Sequence, residues 1–368
     1  MDTKKRKLIY CPIEPLTERY TASWYTNFPR IFADAGFAVE VINGIVLEET
    51  IKVGAFLDIN STCHYKATQL QKISQLFHQG LVEQGTIFFF GDLEFWGIEQ
   101  VRLLADMNKV KVYLTAFLHA ASYTQEDAFQ IAAPYQQYTE IGWIAAMDKV
   151  FVGSAYHKRQ VHSLRLRLSR DADALAAKIH VTKNPLFGED YPPINVPKQK
   201  KALLVNRFDK EKRPEETVQL FATLASRYPD WKFVVTTGRA ELRGDPKDVA
   251  VARYWEERGV IQIRAGLTKA QYNQELAEAA FTVTHSIEEN YGYCIAEALI
   301  YKTLPLMRSG LSHSEFTTDP RLLFNWPTDC LEKATHLIET FGTDAWPELP
   351  KLDMNGMDNI VKHLLEFQ

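Results

Sequence analysis

Residues 282–307 read TVTHSIEENYGYCIAEALIYKTLPLM and carry the clearest structural pattern in the chain. Residues 282–285 predict the end of a strand, the segment 292–301 predicts a helix, and the apolar run 304–307 predicts a second strand. A strand, a helix and a strand in this order form a βαβ unit, whose two strands are parallel. The stretch therefore predicts an α/β protein built on a parallel sheet.

The same alternation of short apolar runs and amphipathic stretches extends over the rest of the chain. Other strands are predicted at 7–12, 38–43, 86–90, 110–117, 149–153, 179–182, 202–206, 232–236 and 261–264. Other helices are predicted at 25–35, 98–107, 214–227, 269–279 and 358–367. This order favours two Rossmann-like, doubly wound domains facing a central cleft, with ligands bound at the carboxyl ends of the strands.

A proline-rich segment separates the two halves of the chain. Residues 184–201 hold four prolines and little periodicity, and proline interrupts both helices and strand ladders. We therefore predict one domain at 1–190 and a second at 191–350. We expect the final helix, within 351–368, to pack back toward the first domain.

Composition restricts the class of protein. Hydrophobic residues make up 46% of the 368 residues and charged residues 24%, which is ordinary for a globular protein. The formal net charge of −4 excludes the global basic field that drives non-specific nucleic-acid binding. The four cysteines form no CxxC pair, and neither a secretory signal nor an apolar run of about 18 residues is visible. We therefore expect a soluble, cytoplasmic protein with reduced cysteines.

Two cations follow the strand at 202–206. Arg207 lies at the strand exit, and Lys212 lies at the expected start of the next helix. Cations beside a helix N-terminus form an anion site, and a departing diphosphate needs this kind of charge stabilisation. A solvated charged loop is the alternative interpretation, because Asp209 and Glu211 lie in the same segment.

Two carboxylates, Glu289 and Glu297, lie in the stretch quoted first. Gly292 lies where the loop turns into the helix, so the backbone amides of Asn290 and Tyr291 can face a phosphate or a sugar hydroxyl. Glu289 in the loop would reach a sugar, and Glu297 further along the helix would reach a ribose diol, because carboxylates accept strong hydrogen bonds from hydroxyls. An ordinary amphipathic helix with a polar first turn is the alternative.

Together these motifs resemble the retaining glycosyltransferases of family 4. The local pattern of that family, S-x-x-E-x-F/Y-G-x-x-x-x-E-A, is matched by Ser286, Glu289, Tyr291, Gly292, Glu297 and Ala298. Arg207 and Lys212 match the family's R-x4-K at a strand exit, and Gly266 matches a glycine that the family usually carries between the two motifs. The resemblance extends from about residue 200 to about residue 310.

The resemblance implies a GT-B fold and transfer of a hexosyl or pentosyl group from a nucleotide sugar, with a UDP-sugar as first choice. It implies that Arg207 and Lys212 hold the donor pyrophosphate, that Glu289 contacts the donor sugar and that Glu297 contacts the ribose. It also implies retention of anomeric configuration and no bound metal. The loop at 13–24 departs from the family, because it holds no glycine.

Polar residues also follow predicted strands in the N-terminal half. His119, at a position where the family often has a histidine, is a candidate to bond a sugar hydroxyl, with a structural histidine as the alternative. Asp92 is a candidate to orient or deprotonate an acceptor hydroxyl, with a helix cap or a salt bridge as the alternative. The DxD pair at 171–173 lies in a charged stretch that we interpret as surface, so we predict no metal site.

The stretch 156–170 is basic and holds no acid. It contributes Lys158, Arg159 and Arg165 as candidate acceptor-binding residues, and Trp24 is a fourth; a solvated helix face is the alternative for the stretch. Segments of the chain are similar to glycosyltransferases of bacterial viruses, namely GDLEFWGIEQ, LHAASYTQED, VFVGSAYHKRQ and LPLMRSGLSHSEF. Some of those enzymes modify hydroxymethylated bases that are flipped out of duplex DNA.

Three functions follow from these patterns. The first is sugar transfer to a hydroxymethylated pyrimidine base in DNA, which the viral similarity implies. The second is transfer to a glycan, a lipid carrier or a small molecule. The third is a non-catalytic sensor of nucleotide sugars. The first two differ in salt dependence, because binding to DNA weakens steeply as salt rises.

Overall fold

The computed structural model describes residues 5–16, 21–47, 58–124 and 128–367. The chain divides into two compact units. The first unit contains the residues up to Asp190 and the segment from Met354 onward, and the second is Tyr191–Asp353. No helix within the described ranges is both long enough and apolar enough to cross a membrane.

The first unit alternates strands and helices. Its strands are β1 (Lys7–Cys11), β2 (Ala38–Val41), β3 (Thr86–Phe90), β4 (Val112–Phe117), β5 (Lys149–Val152) and β6 (Ile179–Val181). Its helices are α1 (Thr21–Asp34), α2 (Ile59–His78), α3 (Ile98–Met107), α4 (Ala133–Ala146), α5 (Ala155–Leu164), α6 (Ala172–Ala177) and the C-terminal α12 (Gly356–Leu365). The strands form one parallel sheet in the order β2-β1-β3-β4-β5-β6. After β2 the chain crosses to the other side of β1, so the strand order reverses between β1 and β3.

The second unit repeats this design. Its strands are β7 (Gln199–Leu204), β8 (Lys232–Thr236), β9 (Gln262–Arg264), β10 (Ala279–Thr284), β11 (Leu304–Arg308) and β12 (Leu323–Phe324). Its helices are α7 (Pro214–Arg227), α8 (Pro246–Glu257), α9 (Lys269–Glu278), α10 (Tyr293–Ile300) and α11 (Pro327–Thr340). The sheet is parallel, with the order β12-β11-β10-β7-β8-β9, so the reversal falls between β7 and β10. Two six-stranded parallel sheets with flanking helices confirm the predicted α/β class.

Buried apolar strands hold each sheet between its helices. All five residues of β3, TIFFF, are buried, as expected for a strand that is covered on both faces. Helix α1 packs an aromatic stripe on this sheet, in which Trp24 and Phe28 stack with 4.8 Å between ring centroids and Phe32 lies 5.2 Å from Phe89. Trp24 is only 2% exposed. This candidate for acceptor binding is therefore a core residue of the first unit.

The helix α12 is part of the first unit and contacts the exit of β6. The Asn359 side chain donates to the carbonyl of Thr182 at 3.1 Å, and Lys149 Nζ donates to the carbonyl of His363 at 2.7 Å. Gly356, the first residue of α12, lies so close to Asn184 that a Cβ atom would come within 2.6 Å of its carbonyl oxygen. Only a residue without a side chain allows this approach.

We predict that Gly356→Ala destabilises the protein, because the clash is with backbone atoms that cannot rotate away. Overpacking of this kind costs about 1–3 kcal/mol, and thermal unfolding followed by circular dichroism measures it. Gly142→Ala in α4 is the matched control, since a Cβ there meets nothing within 4 Å. That change should be neutral or stabilising by up to about 1 kcal/mol. Equal melting points for the two variants would contradict the packing argument.

Candidate active site

The point of strand reversal in the second unit brings two loops together. In open α/β sheets, ligands bind at such a point, beyond the carboxyl ends of the strands. The loop after β7 carries 205–213, and the loop after β10 carries 285–292. Ile287 N donates to the carbonyl of Glu211 at 2.8 Å, and the buried Asn206 amide donates to the hydroxyls of Thr284 and Ser286. These bonds fix the two predicted motifs side by side.

Lys212 and Glu289 form the central ion pair of these loops. Lys212 Nζ lies 2.9 Å from Glu289 Oε2 and donates to the carbonyl of Glu288 at 3.1 Å. The two side chains are only 13% and 22% exposed. Burial opposes ionisation of Glu289, but the charge and the hydrogen bond of Lys212 outweigh it, so the pKa of this carboxyl is lowered. Burial likewise opposes the charge on Lys212, yet Glu289 and Glu211 raise its pKa. Both groups are therefore ionised at neutral pH.

Arg207 lies on the same loop as Lys212. Its guanidinium contacts Asp209 at 2.7 Å and Glu211 at 3.1 Å, and its side chain is 49% exposed. Its charge contributes to the lowered pKa of Glu289. The structure thus brings Arg207, Lys212 and Glu289 together, and both cations have acidic neighbours.

Glu297 lies further along α10. Its carboxylate accepts from the Tyr272 hydroxyl at 2.9 Å and from the Tyr191 hydroxyl at 3.3 Å, and it forms an ion pair with Lys269. Cys294 lies on the same helix, and its thiol donates to the carbonyl of Val205 at 3.7 Å. Its pKa is raised to about 12, first by burial and then by the charges of Glu297 and Glu289.

Gly292 shapes the start of α10. Its φ of +96° lies in the left-handed region, which favours glycine, and a Cβ there would come within 3.5 Å of the Glu289 side chain. Tyr291 is buried and its carbonyl accepts from the Ser312 hydroxyl at 2.9 Å; Asn290 precedes it and is half-buried. Gly266 lies in the loop after β9, where its amide donates to the carbonyl of Arg239. The roles of these four residues in donor binding stay predictions.

His313 is a site residue that the sequence reasoning missed. It lies in the loop after β11, fully buried, with Nδ1 3.0 Å from the carbonyl of Arg308. Ser312 N donates to the carbonyl of Glu289 at 3.3 Å, which joins this loop to the other two. Burial lowers the pKa of His313, although Glu289 opposes the shift. The only sequence signal is its position after a predicted strand, in the segment SGLSHSEF.

Asp92 and His119 lie at strand exits of the first unit. Asp92 Oδ2 is 2.7 Å from Lys66 Nζ. Burial opposes ionisation of Asp92, but Lys66 and then His119 outweigh it, so its pKa is lowered. His119 donates through Nε2 to the carbonyl of Gly91 at 2.8 Å, and its ring lies 4.9 Å from that of Trp24. A lowered pKa makes Asp92 a fixed carboxylate rather than an effective proton acceptor.

The basic stretch does not present all its cations to solvent. Arg165 is buried in an ion pair with Glu140 at 2.5 Å, and Lys158 Nζ donates to the carbonyl of Ile179 at 2.6 Å. The exposed cations are Arg159, Arg167 and Arg170. The contacts of Arg165 and Trp24 therefore support structural roles instead of the predicted acceptor contacts.

The loop after β1, which lacks glycine, is anchored by an acid. Glu14 is 2% exposed and accepts from the hydroxyls of Ser61 at 2.9 Å and Thr62 at 2.7 Å, both in the first turn of α2. Residues 17–20 of this loop lie outside the described residues. Within the described parts of the chain, no group of three or more His, Cys, Asp or Glu is arranged to hold a metal ion.

No protein-family model and no curated protein sequence matches the chain. Solved structures do match it. The sucrose-phosphate synthase from Thermosynechococcus elongatus has a TM-score of 0.62 at 12% identity, over 99% of this chain and 95% of that one. The catalytic domain of starch synthase IV from Arabidopsis thaliana has a TM-score of 0.59 at 9% identity, over 99% and 96%. A mutant of TarM from S. aureus has a TM-score of 0.54 at 13% identity. The match covers 85% of this chain but only 58% of the TarM chain.

Two of these matches extend over nearly the whole chain and both of its sheets. The chain has the GT-B fold. In GT-B terms, each unit is one Rossmann-like domain, and the loops that carry Lys212 and Glu289 lie at the strand reversal of the second domain. At identities of 9% to 13% the likeness is one of fold.

We predict that Lys212→Met lowers the melting point at pH 7, because Glu289 then keeps a partly buried charge without its main counter-ion. A loss of about 1–3 kcal/mol is expected. The pKa of Glu289 should rise, since burial is no longer outweighed. A raised pKa means that the folded state takes up a proton more readily than the unfolded one, so the deficit shrinks as the pH falls from 7 to 5.

Thermal unfolding across this pH range tests the expectation. The control is the double variant Lys212→Met with Glu289→Gln, which has no carboxylate at this position and should show no such recovery. A deficit of the single variant that is the same at pH 7 and pH 5 would show that the pair is not coupled as described.

Proposed function

We propose that this protein is a glycosyltransferase that moves a sugar from a nucleotide-sugar donor to an acceptor hydroxyl. The observation that carries the proposal is the contact of Lys212 with Glu289 at the strand reversal of the second domain. Glu289 precedes α10, and Glu297 lies within that helix. A sensor of nucleotide sugars would use the same binding groups and differs in the absence of turnover.

The cations account for the leaving group. When the bond between the anomeric carbon and the phosphate oxygen breaks, negative charge develops on the diphosphate, and fixed cations stabilise it. A lysine ammonium has three donors, and Lys212 uses two of them on Glu288 and Glu289. Among the described residues no other acceptor bonds this ammonium, so its third donor can meet a phosphate oxygen. The half-exposed Arg207 provides a planar guanidinium that suits phosphate oxygens.

The carboxylates account for the sugar and the ribose. Glu289 is ionised and fixed, so it accepts hydrogen bonds from hydroxyls of the donor sugar. Glu297 lies among tyrosine hydroxyls and accepts from the ribose diol. The TarM structure contains UDP and the starch synthase structure contains ADP, which supports a nucleoside diphosphate here, with a UDP-sugar as first choice. Retention of anomeric configuration, with a hexosyl or pentosyl group, rests on the likeness to family 4.

Two acceptor classes are candidates. A hydroxymethylated pyrimidine base in DNA is favoured by the similarity to viral enzymes, and the exposed Arg159, Arg167 and Arg170 would meet its phosphates. Lys158 and Arg165 bond within the first domain, so fewer cations of the stretch 156–170 are available to meet DNA phosphates. A glycan, a lipid carrier or a small molecule is the second class, and a groove in the first domain favours a saccharide among these.

We expect a nucleotide sugar to raise the melting point of the protein, because a ligand that binds only the folded state stabilises it. At a concentration of 100 times Kd the gain is about 2.7 kcal/mol. A thermal-shift panel of UDP-glucose, UDP-N-acetylglucosamine, GDP-mannose and ADP-glucose measures it. Lys212→Ala should reduce the shift by removing the phosphate contact.

The control is Lys200→Ala, which removes an exposed lysine at the opposite end of β7, paired with Asp230. It should leave the shift unchanged. No shift with any of the four nucleotide sugars would count against donor binding. A shift without donor hydrolysis or transfer under any condition would favour the sensor.

A second expectation concerns Glu297 and the ribose. If its carboxylate accepts from the ribose diol, UDP binds about tenfold or more tightly than 2′-deoxy-UDP, because hydrogen bonds to charged groups contribute about 1.5–3 kcal/mol. Glu297→Gln should reduce that ratio, as measured by isothermal titration calorimetry. Glu278→Gln, which changes a carboxylate paired with Lys201, should preserve it. An unchanged ratio in Glu297→Gln would remove this residue from the ribose site.

A further inference from the structure

A groove of about 450 Å³ lies between α2 and α3 in the first domain. This volume is within the range of small-molecule sites, about 300–1,000 Å³. The groove is lined by Cys63, Lys66, Ala67, Leu70, Gln71, Ser74, Trp96 and Gln100. Lys66 lines the groove and contacts Asp92, so the groove begins near the exit of β3, where Asp92 lies.

Trp96 gives the groove a rigid aromatic wall. Its ring lies 6.3 Å from that of Trp143, edge to face, and Lys66 Nζ lies 5.1 Å from its centroid. Lys66 is itself fixed by the carboxylate of Asp92 at 2.7 Å and by the carbonyl of Glu94. The indole is therefore held in place before any ligand arrives, which lowers the entropy cost of binding.

The described residues that line the groove offer no free charge to a ligand. Among them Lys66 is the one charged side chain, it is only 5% exposed, and Asp92 neutralises it. The polar groups at the rim are neutral: the amides of Gln71 and Gln100, and the Ser74 hydroxyl. A ligand that carries phosphates would find no counter-ion here, whereas a nucleic acid needs several.

An aromatic face beside neutral donors and acceptors fits one chemical class. A pyranose ring has an apolar face of C–H groups and a rim of hydroxyls, so it lies on an indole and bonds amides at its edge. We infer that this groove binds a neutral saccharide, and that a saccharide is the acceptor. The inference rests on the proposed function and names its substrate class. Lys66 connects the groove to Asp92, the carboxylate that the sequence indicated for the acceptor side.

The test fills the groove without removing a core side chain. Ala67 is exposed on α2 and lines the groove, so Ala67→Trp obstructs it. Gln75→Trp adds the same bulk at an exposed position of α2 that does not line it. The probes are maltose, cellobiose, lactose and N,N′-diacetylchitobiose, followed by saturation-transfer NMR. Transfer of sugar from the donor to these probes is assayed as well.

We expect at least one disaccharide to bind, at least tenfold more weakly in Ala67→Trp and unchanged in Gln75→Trp. Trp96→Phe, which keeps an aromatic ring in the core, should weaken binding by a smaller factor. Failure of all four disaccharides to bind would overturn the inference, and so would binding that Ala67→Trp leaves intact. Binding of a single-stranded oligodeoxynucleotide that Ala67→Trp abolishes would assign the groove to nucleic acid and overturn it too.

The donor assay separates this inference from the proposed function. Both tryptophan variants should keep the melting-point shift caused by a nucleotide sugar. If the nucleotide sugar binds and no disaccharide does, the groove inference fails alone. If a disaccharide binds in the groove and no nucleotide sugar shifts the melting point, the glycosyltransferase proposal fails and the saccharide site stands without its acceptor role.

Discussion

The candidate site depends on the adjacency of β7 and β10. These strands are far apart in the chain, yet Leu203 is in register with Thr282 in one parallel ladder. Their carboxyl ends therefore meet, and the buried Asn206 side chain bonds the loops that follow. The contact between Lys212 and Glu289 follows from this strand order, because the loops that carry the two residues leave neighbouring strands at the reversal.

At a strand exit in each domain, burial raises the pKa of a carboxyl group and a neighbouring lysine lowers it. Both domains contain such a lysine–carboxylate pair. Lys212 with Glu289 and Lys66 with Asp92 are each a partly buried lysine–carboxylate pair, at 2.9 Å and 2.7 Å. Burial alone would favour the neutral carboxyl, yet the lysine outweighs it, and both carboxyl pKa values are lowered. A buried pair is weak evidence for stability. Its value here is orientation. Lys212 fixes one oxygen of Glu289, and both oxygens of Asp92 are fixed, Oδ2 by Lys66 and Oδ1 by the backbone amide of Glu94 at 3.2 Å.

Local sequence patterns allowed much of the fold to be predicted. What they could not predict depends on contacts between residues that are far apart in the chain. The strands β3 and β8 and the helix α7 have the predicted bounds, because unbroken apolar runs or a proline at the first helical position mark them. No prediction covered α2, α4, α8 or α11. Polar residues are frequent in these segments, so their apolar residues do not form a clear helical pattern. Trp24 and Arg165 carry no local sign that a core and a partner carboxylate will cover them. His313 is recognised as a site residue only in the structure, where the backbone bond from Ser312 to Glu289 brings its loop to the site.

Helix α2 shows why the candidate donor motif is compact in the sequence and the proposed acceptor side is not. Its first turn holds Glu14 of the loop after β1, Gln69 donates to the carbonyls that follow β1 and β2, and Lys66 holds Asp92. One helix thus shapes each strand exit at the reversal of the first sheet, and one wall of the groove as well. The donor motif is compact in sequence because one loop and one helix start supply it. The proposed acceptor side is assembled by a helix that contacts three separate loops, and no short sequence motif records those tertiary contacts.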